Sequence, residues 1–216
     1  MSSAALAAHA PPAQEKEVLG VTTGKMAMWL FLGSDGMSFM GLIAAYVALR
    51  AGNWGIWPDP TKLLAINLTA VNTFILICSS VTMVKAFAAS QEGNVPKLKQ
   101  WIFFTMLGGA IFLGIQVYEY SNLIHHGIKL WDSAGRPAAE WLPAVMKDRS
   151  TLFIATFYAC TCFHGCHVFS GVVYLACILI GILRGRWTVN RIEIVGLYWH
   201  FVDLVWIVIF TIIYLF

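Results

Sequence analysis

Charge is what this sequence has least of. Asp, Glu, Lys and Arg make up 12% of its 216 residues, against roughly 25% in an ordinary soluble domain. The formal net charge is only +3, and no basic patch is interleaved with aromatic residues, which argues against a nucleic-acid partner. No internal repeat is visible, so the inverted halves usual in small transporters are missing. The amino-terminal stretch MSSAALAAHAPPAQEKE holds an Ala8-His9-Ala10 triplet but no basic region ahead of it. Its apolar run also falls short of the roughly 7–15 residues of a signal peptide. Residues 1–24 are therefore expected to form a disordered, uncleaved cytoplasmic tail.

Apolar residues fill the rest: 59% of the chain, with a mean hydropathy of +0.72. Nine Trp, fourteen Phe and seven Tyr suit aromatic belts at two membrane interfaces. A helix crosses a bilayer with about 20 mostly apolar residues. Five stretches qualify, at about 26–49, 63–83, 101–123, 151–183 and 192–216. The predicted fold is an all-α integral membrane protein, a five-transmembrane-helix bundle over residues 25–216. Connections are short except at 125–150, where Pro137, Pro143 and charges of both signs suggest an ordered external loop or a short amphipathic piece. Lys16, Lys25, Lys85, Lys97, Lys99, Arg184, Arg186 and Arg191 flank one set of helix ends. Arg50, Lys62, Lys129, Arg136, Lys147 and Arg149 flank the other. The heavier set belongs inside, which predicts a cytoplasmic amino terminus and an external carboxyl terminus.

Against this apolar background the polar residues within the spans stand out. Carboxylates in a bilayer are costly and usually face protein, headgroups or water. Asp35, Glu119 and Asp203 are the clear cases. Asp35 lies about nine residues into its span, roughly 14 Å at 1.5 Å per residue. Its charged form there needs a cation or several donors. It reads either as a proton-handling or lipid-contacting carboxyl, or as an acid that joins helices through hydrogen bonds. Glu193, His200 and Asp203 recur on one face of the last span, and Gln116 lies one turn from Glu119. Asn67, Asn72, Ser79 and Ser80 are expected to bridge helices. Gly33, Gly41, Gly108, Gly109 and Gly171 are expected to permit close approach.

Five cysteines, an odd number, sit in apolar stretches at Cys78, Cys160, Cys162, Cys166 and Cys177, where they act as small hydrophobes. Three of them fall in CTCFHGCH, residues 160–167, a density of sulfur and imidazole that suggests zinc, copper or covalent haem. The stretch misses the c-type haem spacing C-x-x-C-H by one residue. On a continuous helix, with Cys160 at zero, His164 falls at about 40° and His167 at about −20°, while Cys162 and Cys166 fall at about 200° and 240°. One metal cannot collect ligands from both sides. What remains is a polar face of His164 and His167 that can meet a carboxylate from another helix.

Several blocks together resemble subunit III of the haem–copper oxidases. They are MWLFLGSDGMSFMGLIAAY at Met28–Tyr46, NTFILICSSVT at Asn72–Thr82, GIQVYEY at Gly114–Tyr120, FYACTCFHGCHV at Phe157–Val168 and YWHFVDLVW at Tyr198–Trp206. They occur in the family's order, one in every span. The resemblance implies a short, five-helix, bacterial version of a subunit that has seven helices in many members, set in the bacterial inner membrane. It implies no cofactor and no redox chemistry in this chain, with haem and copper in subunits I and II. It also implies packing beside subunit I, contacts with subunit II and small subunits, bound phospholipids, and support of proton uptake and durability. Asp35 occupies the place of a family Glu and is one methylene shorter. Glu119, His164, His167, His200 and Asp203 fall on the family's own polar positions. Neither the electron donor, cytochrome c or quinol, nor membership of a respiratory supercomplex is written in these residues. A nitric oxide reductase accessory subunit stays open beside it. A small proton-coupled transporter is the rival from another class.

Overall fold

Long uninterrupted apolar stretches must satisfy their backbone groups internally once in lipid, and a helix is the only single-segment way to do so. The computed structural model describes residues 17–18, 21–53, 57, 64–125 and 150–215. It contains five helices long and apolar enough to cross a membrane. They are α1 (Thr23–Gly52), α2 (Ile66–Gln91), α3 (Val95–His125), α4 (Ser150–Leu183) and α5 (Val189–Phe210). A wider π turn, Thr211–Leu215, carries α5 onward. Ahead of α1, Glu17–Val18 pairs antiparallel with Val21–Thr22. Most of the expected tail, and the 125–150 connection beyond His125 and before Ser150, lie outside the described residues.

The observed helices run past the expected ends wherever a local signal carries them on. α2 continues through Lys85 to Gln91, and α3 begins at Val95 with Pro96 in its first turn, where a missing N–H costs nothing. Between them Gly93 takes φ +69°. That left-handed residue lets Gly93 N–H reach the Ser90 carbonyl at 3.3 Å and Asn94 N–H reach that of Ala89 at 3.0 Å. The Asn94 side chain then accepts the Lys97 N–H at 3.2 Å, capping α3. One short turn thus closes α2 and opens α3 as an antiparallel hairpin.

The hairpin packs on α5, α3 also packs on α4, and α1 packs on α4 and α5. α5 is the centre: half of its apolar window is buried, against 22% for α1. Its largest buried side chain, Trp199, lies against Gly109 of α3 and Gly171 of α4 and donates its indole N–H to Ser79 Oγ of α2 at 3.1 Å. A Cβ on Gly109 would collide with the indole, and one on Gly171 would stand 3.0 Å from it. Gly108 likewise meets Ser79 Cβ, at 2.7 Å. Gly33 and Gly41, by contrast, have nothing within 4 Å. They lie on the exposed side of α1, away from its narrow contact stripe of Asp35, Phe39, Ile43 and Tyr46. The expected close approach there does not occur.

Substitution at these glycines separates the two kinds. Gly109→Val is expected to lower stability by about 1–3 kcal/mol through overpacking, while Gly114→Val, with no atom within 4 Å, leaves it nearly unchanged. Thermal unfolding in detergent, followed by circular dichroism, reads the difference.

Candidate functional site

Polar side chains gather in layers between the helices. The first joins α1, α4 and α5. Asp35 is buried, and its Oδ1 stands 3.2 Å from Nε2 of His167. The other ring nitrogen, Nδ1, is 2.8 Å from the Phe163 carbonyl one turn back on α4. A carbonyl only accepts, so Nδ1 carries a hydrogen. Nε2 is then the atom that faces the acid, and the two side chains form a polar contact between α1 and α4. Phe39 covers it, edge-on to His167 at 5.1 Å and tilted against Phe163 at 4.7 Å. Beside it the Tyr198 hydroxyl donates to the His167 carbonyl at 3.0 Å and meets Ser170 Oγ at 2.6 Å.

The second layer ties α2 to α5. Asp203 accepts from Ser80 at 2.6 Å, and Trp206 donates to Thr73 at 2.9 Å. His164 is fully buried, stacked on Trp206 at 4.8 Å and set edge-on to Phe112 at 5.7 Å. Neither of its ring nitrogens has a partner among the described residues. His200 is half-buried one turn before Asp203. Glu193, although on a similar face of α5, belongs elsewhere: it pairs with Lys25 of α1 at 2.7 Å. Glu193, His200 and Asp203 therefore do not make one site. Rise along a helix, about 15 Å over ten residues, separates what the angular pattern groups.

The third layer centres on Glu119 of α3. Thr69 of α2 donates to its Oε1 at 3.0 Å, and Tyr214 and Gln116 donate to its Oε2 at 3.1 and 3.5 Å. The π turn after α5 is what brings the buried Tyr214 to Glu119. Three neutral donors and no cation satisfy this acid. Nearby, the Tyr120 hydroxyl donates to Thr161 at 2.8 Å, and Cys162 Sγ lies 3.6 Å from that hydroxyl. Cys162 and Cys166 are exposed while His164 is buried on the far side of α4, so the donors of CTCFHGCH do not converge. Among the described residues no three His, Cys, Asp or Glu side chains gather as a metal site.

Residues 12–128 and 136–216 match the family model for cytochrome c oxidase subunit III. The chain belongs to this family. Cytochrome c oxidase subunit 3 of Bacillus subtilis is 32% identical over 209 residues, covering 95% of this chain and 92% of that protein. The probable cytochrome c oxidase subunit 3 of Nocardia farcinica is 35% identical over 188 residues, covering 86% and 84%. Cytochrome c oxidase subunit 3 of Bacillus sp. strain PS3 is 32% identical over 193 residues, covering 88% and 84%. This chain is thus a multi-pass membrane subunit III of a haem–copper oxidase, a protein that works in a complex with other oxidase subunits.

Within this subunit III the polar layers also hold residues that sequence reasoning passed over. Asn67 is exposed, and the neighbouring threonines Thr69 and Thr73 do the bridging instead. Two residues turn a helix by about 200°, so Asn67 and Thr69 face opposite ways. Trp and Tyr were expected as aromatic belts at the membrane interfaces, yet Trp199, Trp206, Tyr198 and Tyr214 each spend their polar atom on another helix. Their spacing of seven or eight residues along the last span was a usable signal.

The two histidines should respond oppositely to mutation. His164→Phe removes nitrogens that have no partner among the described residues and is expected to cost under about 1 kcal/mol. His167→Phe strands the Asp35 carboxyl in the bilayer and is expected to cost about 3–5 kcal/mol. Unfolding of the two variants in detergent, monitored side by side, measures this.

Proposed function

We propose that this chain is the non-catalytic subunit III of a bacterial cytochrome c oxidase, whose haem and copper sit in subunits I and II. The oxidase reduces oxygen and pumps protons across the inner membrane. In this reading subunit III packs beside subunit I, holds phospholipids, supports proton uptake and prolongs activity during turnover. The one observation that carries the proton role is the buried contact between Asp35 and His167, 3.2 Å from Oδ1 to Nε2 under Phe39. Relatives named cytochrome c oxidase subunit 3 in Bacillus and Nocardia support the bacterial setting. Glu119 and Asp203 serve as interhelical fastenings beside it, His164 packs between Trp206 and Phe112, His200 lies one turn before Asp203, and Glu193 with Lys25 anchors α1 to α5 at one membrane surface. The unit that crosses the membrane is 25–216, with residues 1–24 ahead of it.

The same proposal orients the chain. Lys25, Lys85, Lys97, Lys99, Arg184, Arg186 and Arg191 all flank the starts of α1, α3 and α5 or the ends of α2 and α4. Positive charge on short loops faces the cytoplasm, so the amino terminus lies inside and the carboxyl terminus outside. A cysteine placed at Asn94 is expected to react with a membrane-impermeant maleimide only in inside-out vesicles. Labelling in intact cells would reverse the assignment.

Purification in mild detergent is expected to bring subunits I and II and a haem spectrum with this chain. A chain that ran alone and colourless would sink the proposal. Asp35→Asn keeps the volume and still offers Nε2 a donor, but it holds no acid proton. It is expected to leave assembly and the haem spectrum intact while slowing proton uptake, measured by stopped-flow, and shortening the active lifetime.

A further inference from the structure

A path of aromatic rings runs from the middle of the bundle to the side where α1 ends and α4 begins. Trp206 stands 6.2 Å from Tyr214, and Tyr214 is edge-on to Phe157 at 5.8 Å. Phe157 stacks on Phe153, one turn earlier on α4, at 6.0 Å, and Phe153 is edge-on to Trp57 at 5.7 Å. A spacing of four residues on one helix is what sets the two phenylalanines ring to ring. Trp206, Tyr214, Phe157 and Phe153 are all buried. Trp57, just past the end of α1, is half-buried, and there the path reaches the surface.

The path joins side chains that lose an electron readily. Indole and phenol are oxidised far more easily than a benzene ring, and the phenylalanines between them supply electronic coupling. Hydrocarbon sets a further condition, because a charged radical there is as costly as any other ion. A buried phenol meets that condition only when its proton has somewhere to go. Tyr214 donates its hydroxyl hydrogen to Oε2 of Glu119 at 3.1 Å. Thr69 and Gln116 also donate to Glu119, which fixes the carboxyl in position to receive it.

We propose that Trp57, Tyr214 and Glu119 form a one-electron relay between the surface of the bundle and a buried phenol. An oxidant at the surface takes one electron from the indole of Trp57 and is itself reduced by one electron. Tyr214 refills Trp57 through Phe153 and Phe157, and its phenol proton moves to the Glu119 carboxylate. The products are a neutral phenoxyl radical and a neutral carboxylic acid. A water-soluble one-electron reductant at Trp57 reverses both transfers, so a radical formed deep in the bundle is discharged at its surface. The inference goes beyond the subunit III reading, because it gives side chains of this chain a redox step that needs no cofactor.

The test uses the intact complex and an oxidant confined to water, tris(bipyridyl)ruthenium(III), made by a light flash with a cobalt(III) ammine as electron acceptor. Freezing after the flash and electron paramagnetic resonance then read the tyrosyl radicals. Tyr214 has no exposed surface, so this oxidant reaches it only through the path. The wild type is expected to show a neutral tyrosyl signal that Tyr214→Phe loses and Trp57→Phe lowers severalfold. Glu119→Gln, which keeps an acceptor oxygen but offers no base, is expected to lower it as well. A signal equal in wild type and Tyr214→Phe, or equal in wild type and Trp57→Phe, overturns the relay. One indifferent to Glu119→Gln overturns its proton step. Where Tyr214→Phe or Glu119→Gln fails to assemble, Trp57→Phe decides alone, since the Trp57 indole N–H has no partner among the described residues. A complex with its haem spectrum intact and no Trp57-dependent signal refutes the relay and leaves the oxidase reading standing. A chain that never meets haem-bearing subunits refutes that reading, and the same flash on it still decides the relay.

Discussion

Trp199 is the contact on which the bundle depends. In a bilayer, apolar surface gains little by leaving lipid for protein, so helices associate through close packing and interhelical hydrogen bonds. Trp199 supplies both at once. Its ring fills the space left by two missing Cβ atoms, Gly109 on α3 and Gly171 on α4. Its single polar atom reaches Ser79 on α2. One α5 side chain thereby touches three other helices, and α5 becomes the post around which they stand. Trp206, seven residues on, repeats the arrangement with Thr73, Phe112 and His164.

From that post the polar layers follow in register. As α5 runs from Trp199 and Asp203 to Trp206 and Tyr214, its partners on α2 fall from the adjacent Ser79 and Ser80 to Thr73 and then to Thr69, which shares Glu119 with Tyr214. That order is antiparallel pairing written in hydrogen bonds. Among the described residues no lysine or arginine pairs with the buried acids Asp35, Glu119 and Asp203. Asp203 meets a serine, Glu119 meets three neutral donors, and Asp35 meets a histidine. Basic side chains sit at the helix ends, where water solvates them. The interior therefore holds polar atoms but little net charge, as the cost of ions in hydrocarbon requires.

Helices were easy to read because twenty apolar residues in a row leave few alternatives. The opposite faces of Cys162 and His164 were also legible, since a continuous helix sets that angle without tertiary help. Harder to read was anything that depends on which neighbour a face meets. His164 and His167 share a stripe, yet among the described residues only His167 finds an acid, because Asp35 stands level with it on α1. Gly33 and Gly41 looked like contact glycines, but α1 turns that side outward. Glu193 shares a face of the last span with His200 and Asp203, but it pairs with Lys25 of α1. Periodicity gives direction around a helix, while depth and partner come from the packing of the other four.

The weakest attachment is that of α1, whose apolar window is only 22% buried. α1 grips the bundle through one residue per turn, Asp35, Phe39, Ile43 and Tyr46, and leaves Trp29, Leu30, Met37 and Met40 exposed. Within that stripe the Asp35–His167 contact, 3.2 Å from Oδ1 to Nε2, joins α1 to α4. Breaking it would leave a buried polar atom on each helix without its partner, so a helix with few packing contacts is held in register by one polar contact.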